Sequence, residues 1–301
     1  MANHQELKEK FIISYIFELT LFLALLLASS VAADDTLIQV VENGRINWST
    51  RTAAAMGIGP CEPADDERST AASADVLEKA RINAQKNLLD TISTIRINAD
   101  LRIADRMALN PEFSVGLSTL VQNAAITHQQ YFSDGSVKIE LTMKLTGGFA
   151  QFVLPEEIRQ VDSITATTGM TKSSATLQTK DDTNPFTGLI IEAMGIGAEP
   201  SLVPLVVDES GNTVYGPAFV SREFAVSQGM SGFAATMAAA RSDKRVGERP
   251  MVVKAIRTHS TGNTDLVISN ADAARLRSSV VYLNFLKACQ VSIVLDLEED
   301  S

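Results

Sequence analysis

Cysteine is nearly missing from this chain, with only Cys61 and Cys289 in 301 residues, so it is not a disulfide scaffold. The two read as separate thiols. A bond between them in an oxidising compartment stays open, because sequence does not show whether their Cα atoms approach. Histidine is as scarce: beyond the N-terminal segment only His128 and His259 occur, in different halves. His128 falls inside a strand, with no second His, Cys or carboxylate cluster to complete a metal site. A Gly-x-Ser-x-Gly elbow, a Walker loop and a zinc-spaced His/Cys set are all missing. No carboxylate pair is marked out by an apolar setting. Gly57-x-Gly59 lacks a third glycine and meets Pro60 at once, so the phosphate-cradling turn of a dinucleotide site fails. A tight turn at a strand end is expected there. Asp208, Glu209 and Asn212 lack the spaced ligands and terminal Glu of a calcium loop. Basic charge is short too, and the formal net charge of −10 disfavours nucleic acid as a partner. These absences predict no catalytic, cofactor-binding or metal-binding residues, and no small-molecule substrate.

What is present begins with an apolar run from Phe11 to Ala28 whose unbroken core is Leu21–Ala28. That is the length of a signal-peptide core and short for a membrane span. Small residues at Ser30-Val31-Ala32-Ala33 suit signal peptidase, so residues 1–33 are expected to be removed. Glu18 makes a retained transmembrane helix costly, although an uncleaved anchor is the alternative. No Cys stands at the cleavage point to carry lipid.

The best-patterned stretch follows. Val76, Leu77, Ala80, Ala84, Leu88, Ile92 and Ile95 recur at three- and four-residue spacing, one stripe of an α-helix. Ser73 is placed as its N-cap, with Asp75 and Glu78 near the positive end of the dipole. Downstream, Val137, Ile139, Leu141, Met143 and Leu145 alternate with polar residues, the period of a strand buried on one face. Ser133-Asp134-Gly135 supplies the turn, and Ala125–Phe132 its hairpin partner. Ala80 and Ala84 are small enough to let the helix sit close on the sheet, with Leu88 continuing the stripe. Leu37–Val41 and Arg45–Thr52 read as two more strands, and Asn110-Pro111 opens a short helix.

Composition changes after Pro155, and residues 161–184, rich in Ser, Thr and Gly, read as a linker. Phe186–Ala193 then reads as a buried strand that ends in Ala193-Met-Gly-Ile-Gly197. Those are nearly the words of Ala55–Gly59, so Gly57 and Gly195 are taken as the same turn chemistry. Further strands are expected at 201–207, 213–215, 251–257, 265–269 and 291–295. Arg222–Gln228, an Ala-rich Phe233–Ala240 and Asn270–Ala288 are expected to be helices. Gly229–Gly232 is expected to be flexible and Arg241–Arg249 a solvated loop. The fold class is therefore α+β in two modules. Residues 34–160 form an antiparallel sheet covered on one face by a long helix, and 185–301 form a mixed α/β sheet domain with an acidic tail.

Gly57-Ile-Gly59, Lys79–Asp90, Tyr131–Ser136 and Leu141–Gly147 resemble the LPP20 family of exported bacterial envelope proteins. Thr187–Gly195, Val214–Pro217 and Ile268–Ala273 resemble a domain that follows in longer relatives. The resemblance implies a periplasmic or outer-membrane-associated protein, in a family some of whose members belong to flagellar motor structures. Many members are lipoproteins; the missing lipobox cysteine sets this chain apart. The family carries no catalytic residues to transfer. The function expected is a non-enzymatic structural or assembly protein of the cell envelope, with flagellar basal-body accessory structures as the finer reading. It would have envelope protein partners and the capacity to form a homo-oligomer. The alternative is a periplasmic binding module for cell wall or a secreted protein.

Overall fold

The computed structural model describes residues 35–60, 74–158 and 185–296. The apolar run 11–28, Cys61, the Ser73 cap, residues 161–184 and the acidic tail fall outside them. Among the described residues no helix is long and apolar enough to cross a membrane.

The first module is a five-stranded antiparallel sheet. Its strands are β1 (Ile38–Val41), β2 (Gly44–Asn47), β3 (Thr52–Gly59), β4 (Ala125–Tyr131) and β5 (Val137–Lys144), in the order β1-β2-β3-β5-β4. Helix α1 (Ala74–Ser93) lies across one face. Its stripe of Val76, Ala80, Ala84, Leu88 and Ile92 is buried, together with Val137, Ile139 and Leu141 of β5. Two shorter helices, α2 (Ile103–Leu109) and α3 (Pro111–Gln122), close the end of this core. Asn110 accepts the Phe113 N–H at 3.0 Å, and Pro111 occupies the first helical position, where a missing N–H costs nothing.

The central strand differs from expectation. Thr52–Gly59 is a continuous strand paired with β5 over its whole length, from Thr52↔Lys144 to Gly59↔Val137. Gly57 and Gly59 are therefore strand residues, not a turn. Ala53, Ala55, Gly57 and Gly59 face the helix and are buried, while Met56 and Ile58 alternate outward and are exposed. The period of two is carried by Ala and Gly, which have weak strand propensity, so the sequence reads there as a tight turn at a strand end.

The second module is a seven-stranded mixed sheet. Its strands are β6 (Gly188–Glu192), β7 (Val206–Asp208), β8 (Thr213–Tyr215), β9 (Gly232–Ala234), β10 (Pro250–Thr258), β11 (Leu266–Ile268) and β12 (Val291–Val294), in the order β8-β7-β11-β10-β6-β12-β9. β6 runs parallel to both its neighbours, and Leu189, Ile190 and Ile191 are all fully buried. A strand covered on both faces reads as a continuous apolar run, and this one does. Helix α6 (Met237–Ser242) packs with Ile190 and Val294 on one face. On the other lie α7 (Asn270–Arg277) and α8 (Val280–Lys287). Ser269 is the N-cap of α7, accepting the Asp272 N–H at 3.0 Å. The expected single helix breaks at Ser278-Ser279, where Ser279 caps a new start.

Four other expectations change. Residues 201–205 are irregular and only Val206–Asp208 is strand. Phe233 and Ala234 belong to β9, not to a helix. Met230 and Ser231 are buried rather than flexible. Arg245 is not solvated, its side chain being 6% exposed.

The two sheets share one core. α4 (Gly148–Val153) and α5 (Arg222–Gln228) meet at the junction. There Gly147 N–H donates to the Val226 carbonyl at 2.8 Å. Arg222 donates to the carbonyls of Pro155 and Gln151 at 2.8 and 2.9 Å. Trp48 stands edge-on to Phe233, ring centres 5.5 Å apart, and Ser49 Oγ donates to the Phe233 carbonyl at 2.9 Å. On the far side Leu202 and Val203 N–H groups donate to the carbonyls of Arg96 and Ile97. The Arg96 guanidinium pairs with Glu199 at 2.7 Å.

Candidate functional site

The residues singled out from sequence do not converge. Ala80, Ala84 and Gly57 meet at the α1–β3 contact, with Leu88 one turn further along the buried stripe. Asp134 and Gly135 sit in the β4–β5 turn. Gly135 has φ +81°, and Asp134 accepts the Ser136 N–H at 2.9 Å and its hydroxyl at 2.7 Å. Those bonds hold the exposed Asp134 carboxyl below its ordinary range. Gly195 lies in the second module, in a turn at φ +73°, its N–H donating to the Asp296 carboxylate at 2.8 Å. The matching words Ala-Met-Gly-Ile-Gly thus form a strand at 55–59 and a turn at 193–197. They are not one piece of turn chemistry.

Three places on the molecule carry more. The first is the outer part of the five-stranded sheet. β4 is its edge strand, bonded only to β5. All seven residues, Ala-Ile-Thr-His-Gln-Gln-Tyr, are exposed, and none is Lys, Arg, Asp, Glu or Pro. A bulge interrupts it at Ile126–His128, leaving His128–Tyr131 regular. The other free edges are short, and those of the second sheet, β8 and β9, are largely buried. Met56 and Ile58 are exposed on the uncovered face nearby.

The second place is an open cleft of about 670 Å³ where the modules meet. Its walls include Ile97, Leu101, Val203 and Phe219, with Arg106, Glu156 and Glu157 among the charged residues. The Arg106 guanidinium is engaged already, donating to the Val153 carbonyl at 2.6 Å and lying over the Phe113 ring.

The third is a buried polar cluster behind Trp48. Arg51, at φ +55°, donates from Nη2 to the Ser231 carbonyl. Burial, with the neighbouring Arg245 charge adding to it, lowers its pKa to about 9. Arg245 donates to the carbonyls of Gln228, Gly229 and Cys289, the last two at 3.0 Å. Burial lowers its pKa as well. Tyr215 Oη donates to the Met230 carbonyl at 2.5 Å, and burial raises its pKa. Cys289, buried and at φ +58°, has its thiol pushed up by burial to about 11. Such a thiol is protonated at neutral pH and is not a nucleophile. Nothing in the cluster is poised for acid–base work near pH 7.

Sequence gave little notice of this cluster, because its members lie far apart in the chain and Arg245 stands in a run of charges that looks solvated. Among the described residues no group of three His, Cys, Asp or Glu is placed to hold a metal ion. Asp208 is spent on Ser210, Asn212 and Arg277.

Comparison with known proteins bears on the second module. A family model for the second domain of Treponema pallidum Tp0624 matches residues 188–297. No curated protein matches the chain. This half is therefore similar to a domain of a bacterial protein, and the match stops short of the first module.

Proposed function

We propose that this chain is a non-enzymatic structural or assembly protein of the bacterial cell envelope, built to pair with copies of itself. The observation that supports the reading best is β4: a seven-residue edge strand, exposed throughout and without a Lys, Arg, Asp, Glu or Pro. Strand edges left this open pair with other strands unless charge, proline or cover prevents it. Two copies of a chain with net charge −10 repel one another least where acidic side chains are missing, and β4 carries no Asp or Glu. Its Thr, Gln and Tyr side chains suit one another across an antiparallel pair. The expected export signal and the resemblance to the LPP20 family support a setting in the periplasm or at the outer membrane, and flagellar accessory structures are the finer version of the proposal. The bacterial Tp0624 match is compatible with this setting.

The test is the native mass of the protein extracted gently from its host, set beside a Gln129→Lys variant. A discrete assembly that the variant reduces to monomers, with the melting temperature of the monomer kept, is the expected result. A wild-type monomer would overturn the self-pairing reading. In that case the open cleft favours a second reading, a periplasmic binding module for a wall or secreted-protein partner, with pull-down of wall polymer or secreted protein by the monomeric chain as its check.

A further inference from the structure

The strand register fixes which side chains share the face of the five-stranded sheet turned away from α1. Met56 and Ile58 of β3 project there, opposite Glu140 and Lys138 of β5. Further along, Ala54 stands between Arg45 of β2 and Thr142 of β5. Val40 of β1 lies opposite Arg45, and Lys144 opposite Thr52. Helix α1 crosses the other face, and on this one Val40, Met56 and Ile58 remain 78%, 39% and 52% exposed.

The charge of this face is unlike that of the chain as a whole. Glu140 is spent on Arg45, whose Nη2 lies 2.5 Å from its Oε1. Lys138 and Lys144 pair with no carboxylate among the described residues. The face is therefore cationic on a chain of net charge −10. Exposed apolar side chains gathered on one face mark an interaction surface, and the open cleft takes in none of these. The face thus offers apolar projections set among free ammonium groups, not a pocket. That is the chemistry of a bilayer interface, where apolar side chains enter between headgroups and lysines reach the phosphates.

We propose that this face docks on an anionic lipid bilayer, with Val40, Met56 and Ile58 entering among the headgroups and Lys138 and Lys144 on the lipid phosphates. Repulsion of the acidic remainder disfavours other orientations, and is screened beyond ~8 Å at physiological ionic strength. Docking does not depend on self-pairing. An antiparallel β4–β4 pair has its two-fold axis normal to the sheet, which turns both outer faces to one side, so a dimer docks by two faces and a monomer by one.

Flotation of the protein purified from its host tests this, with vesicles of phosphatidylcholine alone or mixed with phosphatidylglycerol. Binding is expected with the phosphatidylglycerol vesicles and is expected to fall as sodium chloride is raised. Lys138→Gln combined with Lys144→Gln is expected to weaken it about thirtyfold, from about fivefold for each lysine near an anionic surface. Met56→Thr combined with Ile58→Thr is expected to weaken it at unchanged charge. Lys86→Gln, on α1 across the sheet, is expected to leave it as it was. These side chains lie at the surface, so the melting temperature is expected to hold in every variant. Equal binding to both vesicles, the result expected of the apolar run 11–28 if it is retained, overturns the proposal. So does a loss with Lys86→Gln as large as with the lysine pair. Failure to float overturns it too, and leaves the two lysines to an acidic protein segment.

Discussion

Asp208 shows how much one side chain holds here. It lies under the β7–β8 turn and accepts the Ser210 and Asn212 N–H groups at 3.0 and 2.8 Å, and Arg277 Nη1 at 2.9 Å. Burial acting alone would push its pKa up; the bonds from Asn212 and Arg277 outweigh that and hold it below the ordinary value. A carboxyl depressed by folding contributes stability that is complete above its unfolded pKa, near ~3.9. That stability is lost as pH falls through the lower folded value. Asp208→Asn is therefore expected to lower the urea midpoint at pH 7 and to show a smaller further loss between pH 4 and 2 (on the order of these values) than the wild type. Parallel pH curves for the two proteins would contradict the assignment. The turn itself was readable from Asp208–Asn212. Arg277 was not, because it arrives from α7, 69 positions along the chain.

At the scale of elements, the α1–β3 contact decides the first module. A Cβ on Gly57 would fall 2.7 Å from the Ala84 Cα, and closer still to the Ala84 nitrogen and the Ala80 carbonyl oxygen. Helix and strand backbones thus touch, with Gly on one side and Ala on the other. Where β2 pairing ends at Ala55, α1 takes over: Asn87 and Asn83 donate to the Met56 and Ile58 carbonyls at 2.7 and 2.8 Å. The helix covers the strand's apolar face and also satisfies its backbone. Gly57→Ala and Ala84→Leu are each expected to cost ~1–3 kcal/mol by overpacking. Because they crowd the same contact, the double variant is expected to lose less than the two separate losses combined. Unchanged denaturation midpoints would mean that the helix shifts freely. The helix, the β4–β5 hairpin and the buried run of β6 were legible because each keeps a clean period in strongly apolar residues. β3 was not, since glycine and alanine disguise its alternation, and neither was β9, whose Phe233-Ala234 sits against an Ala-rich stretch that favours helix by propensity. The edge character of β4 was hidden for another reason: a sequence gives strand pairing partners only where a hairpin makes them adjacent.

For the whole molecule the question is whether the two sheets behave as one body. The buried side chains run without a break from Leu88 and Leu141 in the first module to Leu189 and Phe285 in the second. Arg222, Gly147 and Ser49 carry hydrogen bonds across the junction. Such a shared core makes separate melting unfavourable, because either module alone would expose the apolar face it buries against the other. Trp48 offers a direct reporter. It is the only tryptophan in the chain, it is 2% exposed, and it contacts Phe233 across the junction. Its fluorescence therefore registers parting of the modules, whereas far-UV circular dichroism registers loss of the helices and strands in both. One-body behaviour predicts that the two signals change together in urea, with a calorimetric enthalpy equal to the van't Hoff value. A fluorescence change that precedes the loss of secondary structure would show the junction opening first, and the modules would then have to be treated as hinged. A rigid pair bears directly on the proposed self-pairing: an antiparallel β4–β4 contact is two-fold and closes as a dimer, and the two second modules would then be held at one fixed angle about its axis.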